Sequence, residues 1–295
     1  MTFDEMRERI AHGQGFVAAL DQSGGSTPKA LRGYGVEDSE WSDEDQMFAL
    51  IHEMRSRIIE APCFGNGKVI GAILFEKTME GESGGMSVPA RLKDRGIVPF
   101  LKVDKGLEDE RDGAQLMKPN PNLEAMCARA RELGVFGTKM RSVIKSANPV
   151  GIKETVRQQF AEGARILACG LMPMLEPEYD ITAADRAEGE KILLAAIEEG
   201  LDALPEGQQV MLKLSIPAEA GLYAGLAKHP KVLRVVALSG GYSTDEACEK
   251  LAQNPGMIAS FSRGLLQDLR KQQDDAEFDG TLSGAIDQIH AASIT

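Results

Sequence analysis

Short apolar runs recur along the whole chain, separated by longer stretches in which apolar and polar residues mix at a spacing of three to four. The runs Phe16–Leu20, Val69–Phe75, Ile97–Val103, Val135–Met140, Leu171–Leu175, Val210–Leu214, Val232–Leu238 and Met257–Phe261 are continuous rather than alternating. That predicts strands buried on both faces. Between them the spacing predicts helices. Ser42-Asp43-Glu44-Asp45 reads as an N-cap with an acidic first turn, leading into Met47, Leu50, Ile51, Met54 and Ile58. Pro121-Asn122 opens a segment closed by Gly134, Asn148-Pro149 precedes Ile152–Cys169, and Thr182 precedes Ala183–Leu204. Thr244-Asp245-Glu246 opens another, and Leu265–Lys271 and Leu282–Ala292 are helical in pattern. Buried strands alternating with helices make a parallel sheet covered on both sides. The eight runs above, with no GxGxxG or P-loop glycine pattern after the first, predict an α/β (β/α)8 TIM barrel rather than a doubly wound nucleotide-binding sheet. No linker-like stretch divides the chain, so residues 1–295 are expected to form a single barrel domain with extra terminal helices.

Composition narrows the class of partner. The 295 residues are 43% hydrophobic, enough for one large core. With 33 Lys plus Arg against 45 Asp plus Glu, the formal charge is −12. Nucleic acid is therefore not an expected partner, since phosphate neutralisation needs a basic surface. No apolar run approaches the ~20 residues of a membrane span, and Met1–Ile10 is charged and helical in pattern, unlike a signal peptide. Cys63, Cys127, Cys169 and Cys248 lie far apart, and His12, His52, His229 and His290 show no ligand spacing. Neither a disulfide framework nor a metal centre is predicted. A cytoplasmic protein is expected.

Charge enters the pattern where the strands end. The first run stops at Asp21, the third at Lys102-Val103-Asp104, the fourth at Lys139-Met140-Arg141, and the fifth at Glu176-Pro177-Glu178. Barrel active sites lie at these ends. Residues two apart on a strand share a face, so Lys102 with Asp104, Lys139 with Arg141, and Glu176 with Glu178 are each expected to turn into the barrel mouth. Lys213 stands inside the apolar run Met211-Leu212-Lys213-Leu214, where an unpaired ammonium is costly to bury. A lysine among other cations and partly desolvated falls from ~10.4 towards ~7–8 and becomes an amine able to attack a ketone or aldehyde. The protonated imine so formed is an electron sink for carbon–carbon cleavage, and Asp21, Glu176 and Glu178 are the carboxylates that would move protons. Ser239-Gly240-Gly241 and Ser262-Arg263-Gly264, after the last two runs, are small-residue loops ahead of helix starts, a setting suited to phosphate. Ser23-Gly24-Gly25-Ser26 with Lys29 is a second candidate anion loop, with a plain flexible loop as the competing reading.

The segments AALDQSGGS (18–26), LKVDKG (101–106), TKMRSVIK (138–145), MLEPE (174–178), MLK (211–213), LSGG (238–241) and FSRG (261–264) occur in this order. Together they resemble the class I, lysine-dependent fructose-bisphosphate aldolases in a short bacterial-type form, from about Gly15 to Leu269. The resemblance implies Lys213 as the Schiff-base lysine and Lys139 as the charge beside it. It implies Glu176 as acid and base in imine formation, and Asp21 as acceptor of the C4 hydroxyl proton. Glu178, Lys102 and Arg141 would complete an ionic network, with Lys102 also near substrate. Ser239, Gly240, Gly241, Ser262, Arg263 and Gly264 would cradle the C1 phosphate, while Ser23, Ser26 and Lys29 would lie near the other. Phosphorylated ketoses and aldoses would be its substrates in glycolysis or gluconeogenesis, with no cofactor and no metal. A homo-oligomer built through outer helices is expected.

The chain departs from the animal members of that family in several places. Gln22 stands where they carry an acidic residue, and Lys29-Ala30 where they carry Lys-Arg, with Arg32 as a possible substitute. Leu265 stands at the position of their phosphate arginine, leaving Arg263 as the nearby candidate. The end Ala291-Ala292-Ser293-Ile294-Thr295 lacks their C-terminal tyrosine, so C3 proton exchange would need another group. The residues also admit another lysine-dependent phosphosugar aldolase, a phosphosugar isomerase with a glutamate base, or a non-catalytic sugar-phosphate-binding scaffold.

Overall fold

The computed structural model describes residues 1–295, Gly24 excepted. Eight strands follow one another around a single sheet in chain order: β1 (Phe16–Leu20), β2 (Val69–Leu74), β3 (Val98–Lys102), β4 (Gly137–Ile144), β5 (Met172–Tyr179), β6 (Val210–Ser215), β7 (Val232–Leu238) and β8 (Met257–Ala259). Every neighbouring pair is parallel. The Ala19 amide donates to the Phe261 carbonyl at 3.4 Å, which brings the last strand's end back to the first. This is the predicted (β/α)8 barrel.

Alternation along each strand sorts the side chains into two cores. On β6, Val210, Leu212 and Leu214 face the surrounding helices, while Met211 faces the interior. On β5, Met172 and Met174 face inward, with Glu176 and Glu178 next on that face. On β3, Val98 and Phe100 precede Lys102. The interior is therefore greasy at its N-terminal end and charged at its C-terminal end. Helix α1 (Phe3–His12) covers the greasy end: Met6 and Ile10 join the interior cluster, and Arg234 donates to the Ala11 carbonyl at 2.7 Å.

The outer layer comprises α2 (Thr27–Gly33), α3 (Glu44–Glu60), α4 (Glu76–Met79), α5 (Val88–Asp94), α6 (Leu123–Glu132), α7 (Pro149–Ala168), α8 (Arg186–Ala203), α9 (Thr244–Ala252), α10 (Arg263–Leu266) and α11 (Asp275–Ser293). Side-chain caps mark the starts of α3, α7, α9 and α11. Asp43 accepts from the Gln46 amide, Asn148 from Val150, and Ser243 from Glu246.

Several boundaries differ from expectation. β4 and β5 continue through their charged residues and stay in register from Gly137 opposite Met172 to Ile144 opposite Tyr179. The apolar runs stopped short because these inward charges are paired. Helix α8 starts at Arg186 rather than Ala183, because the Thr182 amide and hydroxyl donate to Asp180 Oδ1 at 2.9 and 2.7 Å and hold a turn. The helix expected over Leu265–Lys271 shrinks to α10. Helix α11 starts earlier than Leu282, at a capping box between Asp274 and Glu277. The hairpin Glu82–Ser83/Met86–Ser87 and the segment Ala114–Gln115, which pairs antiparallel to the end of β4, carried no sequence expectation.

Candidate active site

At the charged end of the barrel the inward side chains form one network, buried at Lys139, Glu176 and Lys213. Lys213 Nζ lies 3.0 Å from Glu176 Oε1. Lys139 Nζ lies 3.0 Å from Glu176 Oε2 and 2.6 Å from Asp21 Oδ2. Lys139, Glu176 and Lys213 are 3–4% exposed. Strand register explains the meeting. Lys102 stands opposite Lys139, Glu176 opposite Arg141, and Met174 opposite Met211, two residues before Lys213. A second layer lies beside the first. Lys102 Nζ donates to Asp104 Oδ1 at 2.6 Å, Asp104 Oδ2 accepts from the Arg141 amide at 3.2 Å, and Arg141 Nε pairs with Glu178.

Four cations (Lys102, Lys139, Arg141, Lys213) thus meet four carboxylates (Asp21, Asp104, Glu176, Glu178). The patch is locally neutral in a chain of net charge −12. Burial by itself would push the Asp21 carboxyl up, but the Lys139 and Lys213 ammoniums outweigh it and hold Asp21 well below the usual carboxylate range. Burial likewise disfavours the Lys139 ammonium, yet Asp21 and Glu176 hold it above the usual lysine value. Lys139 is therefore a fixed cation. Although Lys139 is within ion-pair reach, Glu176 Oε2 is buried and accepts no hydrogen bond among the described residues. That leaves a lone pair for a proton from elsewhere.

The loops after β7 and β8 enclose a cavity of about 270 Å³ lined by Ser239, Gly241, Thr244, Arg263 and Gly264, among others. Gly240 and Gly241 have φ of 61° and 133°, a region side chains rarely enter. They turn the chain into α9, and Arg263 Nη2 faces Gly241. Ser262 is not among the lining residues; its hydroxyl accepts from Gln22 Nε2 at 2.5 Å.

The loop after β1 is less convergent. The Ser26 hydroxyl is engaged within its own turn, accepting from the Ser23 amide and donating to the Ser23 carbonyl, both at 3.0 Å. Lys29 is exposed on α2, and Arg32 is bound to Asp38 at 2.7 Å. Gly24 of this loop lies outside the described residues.

Sequence reasoning missed Arg55. It lies on α3 with no exposed surface, donating to the Thr78 hydroxyl at 2.7 Å and to the Gln22 carbonyl at 2.5 Å. The signal was present, since position 55 falls on the apolar stripe of Ile51 and Ile58.

Comparisons with known proteins bear on this arrangement. The structure is similar to fructose-bisphosphate aldolase from Plasmodium falciparum, solved in complex with TRAP and a small-molecule inhibitor. The TM-score is 0.77 at 19% identity, covering 99% of this chain and 94% of that one. It is similar at a TM-score of 0.54 and 14% identity to a protein from Corynebacterium glutamicum, covering 98% and 92%. At these identities the likeness is one of fold. The sequence itself matches the family model for glycolytic fructose-bisphosphate aldolase, class I, over residues 4–188. That span contains Asp21, Lys102, Lys139 and Glu176 and ends before Lys213. The match covers more than half of the chain, and the chain therefore belongs to the class I fructose-bisphosphate aldolase family.

Proposed function

We propose that the protein cleaves fructose 1,6-bisphosphate reversibly to dihydroxyacetone phosphate and glyceraldehyde 3-phosphate through a Schiff base on Lys213. One observation carries the reading: Glu176 is shared by Lys213 and Lys139, with Asp21 on the far side of Lys139. A lysine amine, a fixed cation and two carboxylates thus lie within ion-pair reach of one another, the arrangement a Schiff-base mechanism needs.

Lys213 Nζ passes a proton to Glu176 and attacks the C2 carbonyl. Glu176 then protonates the carbinolamine hydroxyl, which leaves as water, and an iminium remains. Asp21 takes the C4 hydroxyl proton. The C3–C4 electron pair moves into the iminium, releasing the aldehyde and leaving an enamine. Protonation at C3 and hydrolysis return dihydroxyacetone phosphate and the free lysine. Lys139 stays charged beside both carboxylates and holds them in place. The C1 phosphate fits the cavity between the last two loops, where Arg263, the hydroxyl of Ser239 and the α9 N-terminus converge. Glu178 and Arg141 support this layer from the adjoining strands. Such an enzyme would act in the cytoplasm on glycolytic or gluconeogenic intermediates, as a homo-oligomer and without metal or cofactor.

The test is reductive trapping. Borohydride with dihydroxyacetone phosphate should inactivate the protein and add one substrate mass at Lys213. Lys213→Met roughly conserves volume and removes the nucleophile; it should abolish both trapping and cleavage while the far-ultraviolet spectrum is unchanged. Comparable turnover by that variant would sink the mechanism.

A second reading has its own support. Ser26 and Arg32 are engaged elsewhere, and Lys29 is exposed. That favours a substrate held by one phosphate, the other end being loosely bound. Rates on fructose 1,6-bisphosphate, fructose 1-phosphate and deoxyribose 5-phosphate separate the two.

A further inference from the structure

We propose that Arg55 and Gln22 are positioning residues. A chain of hydrogen bonds, Thr78–Arg55–Gln22–Ser262, buried at its first link and half-buried beyond it, locks together the ends of β1, β2 and β8 and so sets Asp21 against the bond to be cleaved. This assignment rests on the aldolase reading above.

The chain can be followed atom by atom. Arg55 Nη1 donates to Thr78 Oγ1 at 2.7 Å, just beyond β2. Its Nη2 donates to the Gln22 carbonyl at 2.5 Å and to Gln22 Oε1 at 3.1 Å. Gln22 Nε2 in turn donates to the Ala19 carbonyl at 3.2 Å and to Ser262 Oγ at 2.5 Å. Gln22 is the residue after Asp21, and Ser262 is the residue before Arg263. Its inner member Gln22 therefore adjoins the proposed proton acceptor, and its Ser262 end adjoins the proposed phosphate loop.

Packing alone does not require a guanidinium at this place. A buried ion is often replaced by an apolar side chain of similar volume at no loss of stability. Arg55 forms no ion pair among the described residues, although Asp21 is the countercharge it feels. Burial pulls its guanidinium down to about 10 against that attraction. What Arg55 supplies is a planar fork, with Nη1 on the Thr78 hydroxyl and Nη2 on both the carbonyl and the side-chain oxygen of Gln22. Gln22 needs both halves of its amide. A carboxylate in its place would accept from Arg55 but offer no hydrogen to the Ala19 carbonyl. That gives the departure from the animal members' acidic residue a structural consequence. Asp21 is faced by Lys102 from β3, Lys139 from β4, Lys213 from β6 and Arg55 from α3, with Glu176 of β5 across Lys139.

The experiment compares Arg55→Met, Arg55→Lys and Gln22→Glu with the wild type. Trapping of dihydroxyacetone phosphate by borohydride needs Lys213 but not removal of a C4 hydroxyl proton, so it should stay at wild-type stoichiometry. Cleavage of fructose 1,6-bisphosphate should lose about tenfold to a hundredfold in kcat for Arg55→Met and Gln22→Glu, as a displaced group does. KM should change less than about twofold if the phosphate contacts persist. In Arg55→Met the acid limb of the kcat profile should move to higher pH, because Asp21 loses a cation; Arg55→Lys should restore the limb without restoring the full rate. Should Arg55→Met fail to fold, the half-buried Gln22→Glu carries the test. Folded variants that cleave and titrate like the wild type overturn this assignment alone. Trapping and cleavage that fall in proportion overturn it in favour of a purely structural role. A wild type that traps nothing overturns the aldolase reading and this assignment with it.

Discussion

Lys139 illustrates how much of the site's behaviour resides in single side chains. Its ammonium lies between Asp21 and Glu176, and each member of the trio stabilises the charge of the next. The direction of each shift gives the pH dependence. Asp21 is held low, so its contribution to stability is complete above the ordinary carboxylate value of about 3.9 and is lost as pH falls through its lowered value. Lys139 is held high, so its contribution is complete below about 10.4 and is lost as pH rises past its raised value. Both are present across the neutral range. In Lys139→Met, Asp21 keeps the burial that raises it and loses the largest influence that lowers it. The acid limb of cleavage against pH should therefore shift upward, alongside a lower rate. An unmoved limb in a folded variant would remove Lys139 from its role as the fixed cation. Most of these residues were legible in the sequence because a Lys or Glu in an apolar strand has no cheap explanation. Arg55 was not. A single charge on a helical stripe reads as a face boundary until the loop it holds is in view.

The elements meet through shape as well as charge. Gly189, in the first turn of α8, crosses over the buried ring of Tyr179 on β5, and a methyl group there would overlap the Tyr179 hydroxyl. Alanine is the better helix former by about 1 kcal/mol, but forcing an extra carbon into a filled contact costs about 1–3 kcal/mol. Gly189→Ala should lower stability by about 1–2 kcal/mol, seen as a reduced urea midpoint with unchanged slope. A raised midpoint would show that α8 slides to make room. The strands' identity was legible from their apolar runs, and their lengths were not. β4 and β5 extend to Ile144 and Tyr179 because the pairing Arg141–Glu178 and the register between them keep the inward charges satisfied. A local reading cannot price a charge whose partner lies on another strand. The delay of α8 has a different origin, a local turn in which Thr182 donates to the Asp180 carboxylate two residues before it.

At the scale of the molecule, the two ends of the barrel are divided between stability and chemistry. Helix α1 closes the apolar end, where Ile10 has no exposed surface and packs with interior residues such as Val17, Ile70 and Val98. Ile10→Ala should cost about 2–5 kcal/mol by transfer and cavity formation, measured by urea denaturation, while kcat at 25 °C stays within about twofold because the charged mouth is at the opposite end. A large kcat effect in a folded Ile10→Ala protein would show the two ends to be coupled. The mouth itself has nearly balanced charge, so under the proposed function selectivity for a phosphorylated substrate would fall to Arg263 and the turns around it rather than to the overall field of an acidic protein. Strand count, the parallel order and the inward face of each charged residue were determined by the sequence alone, because burial and a period of two are local properties of a chain. Which carboxylate answers which lysine, and the half-buried link from Arg55 through Gln22 to Ser262, were decided only by the tertiary structure. Each depends on the distance between atoms on separate strands and helices, and closure of the barrel is what sets those distances.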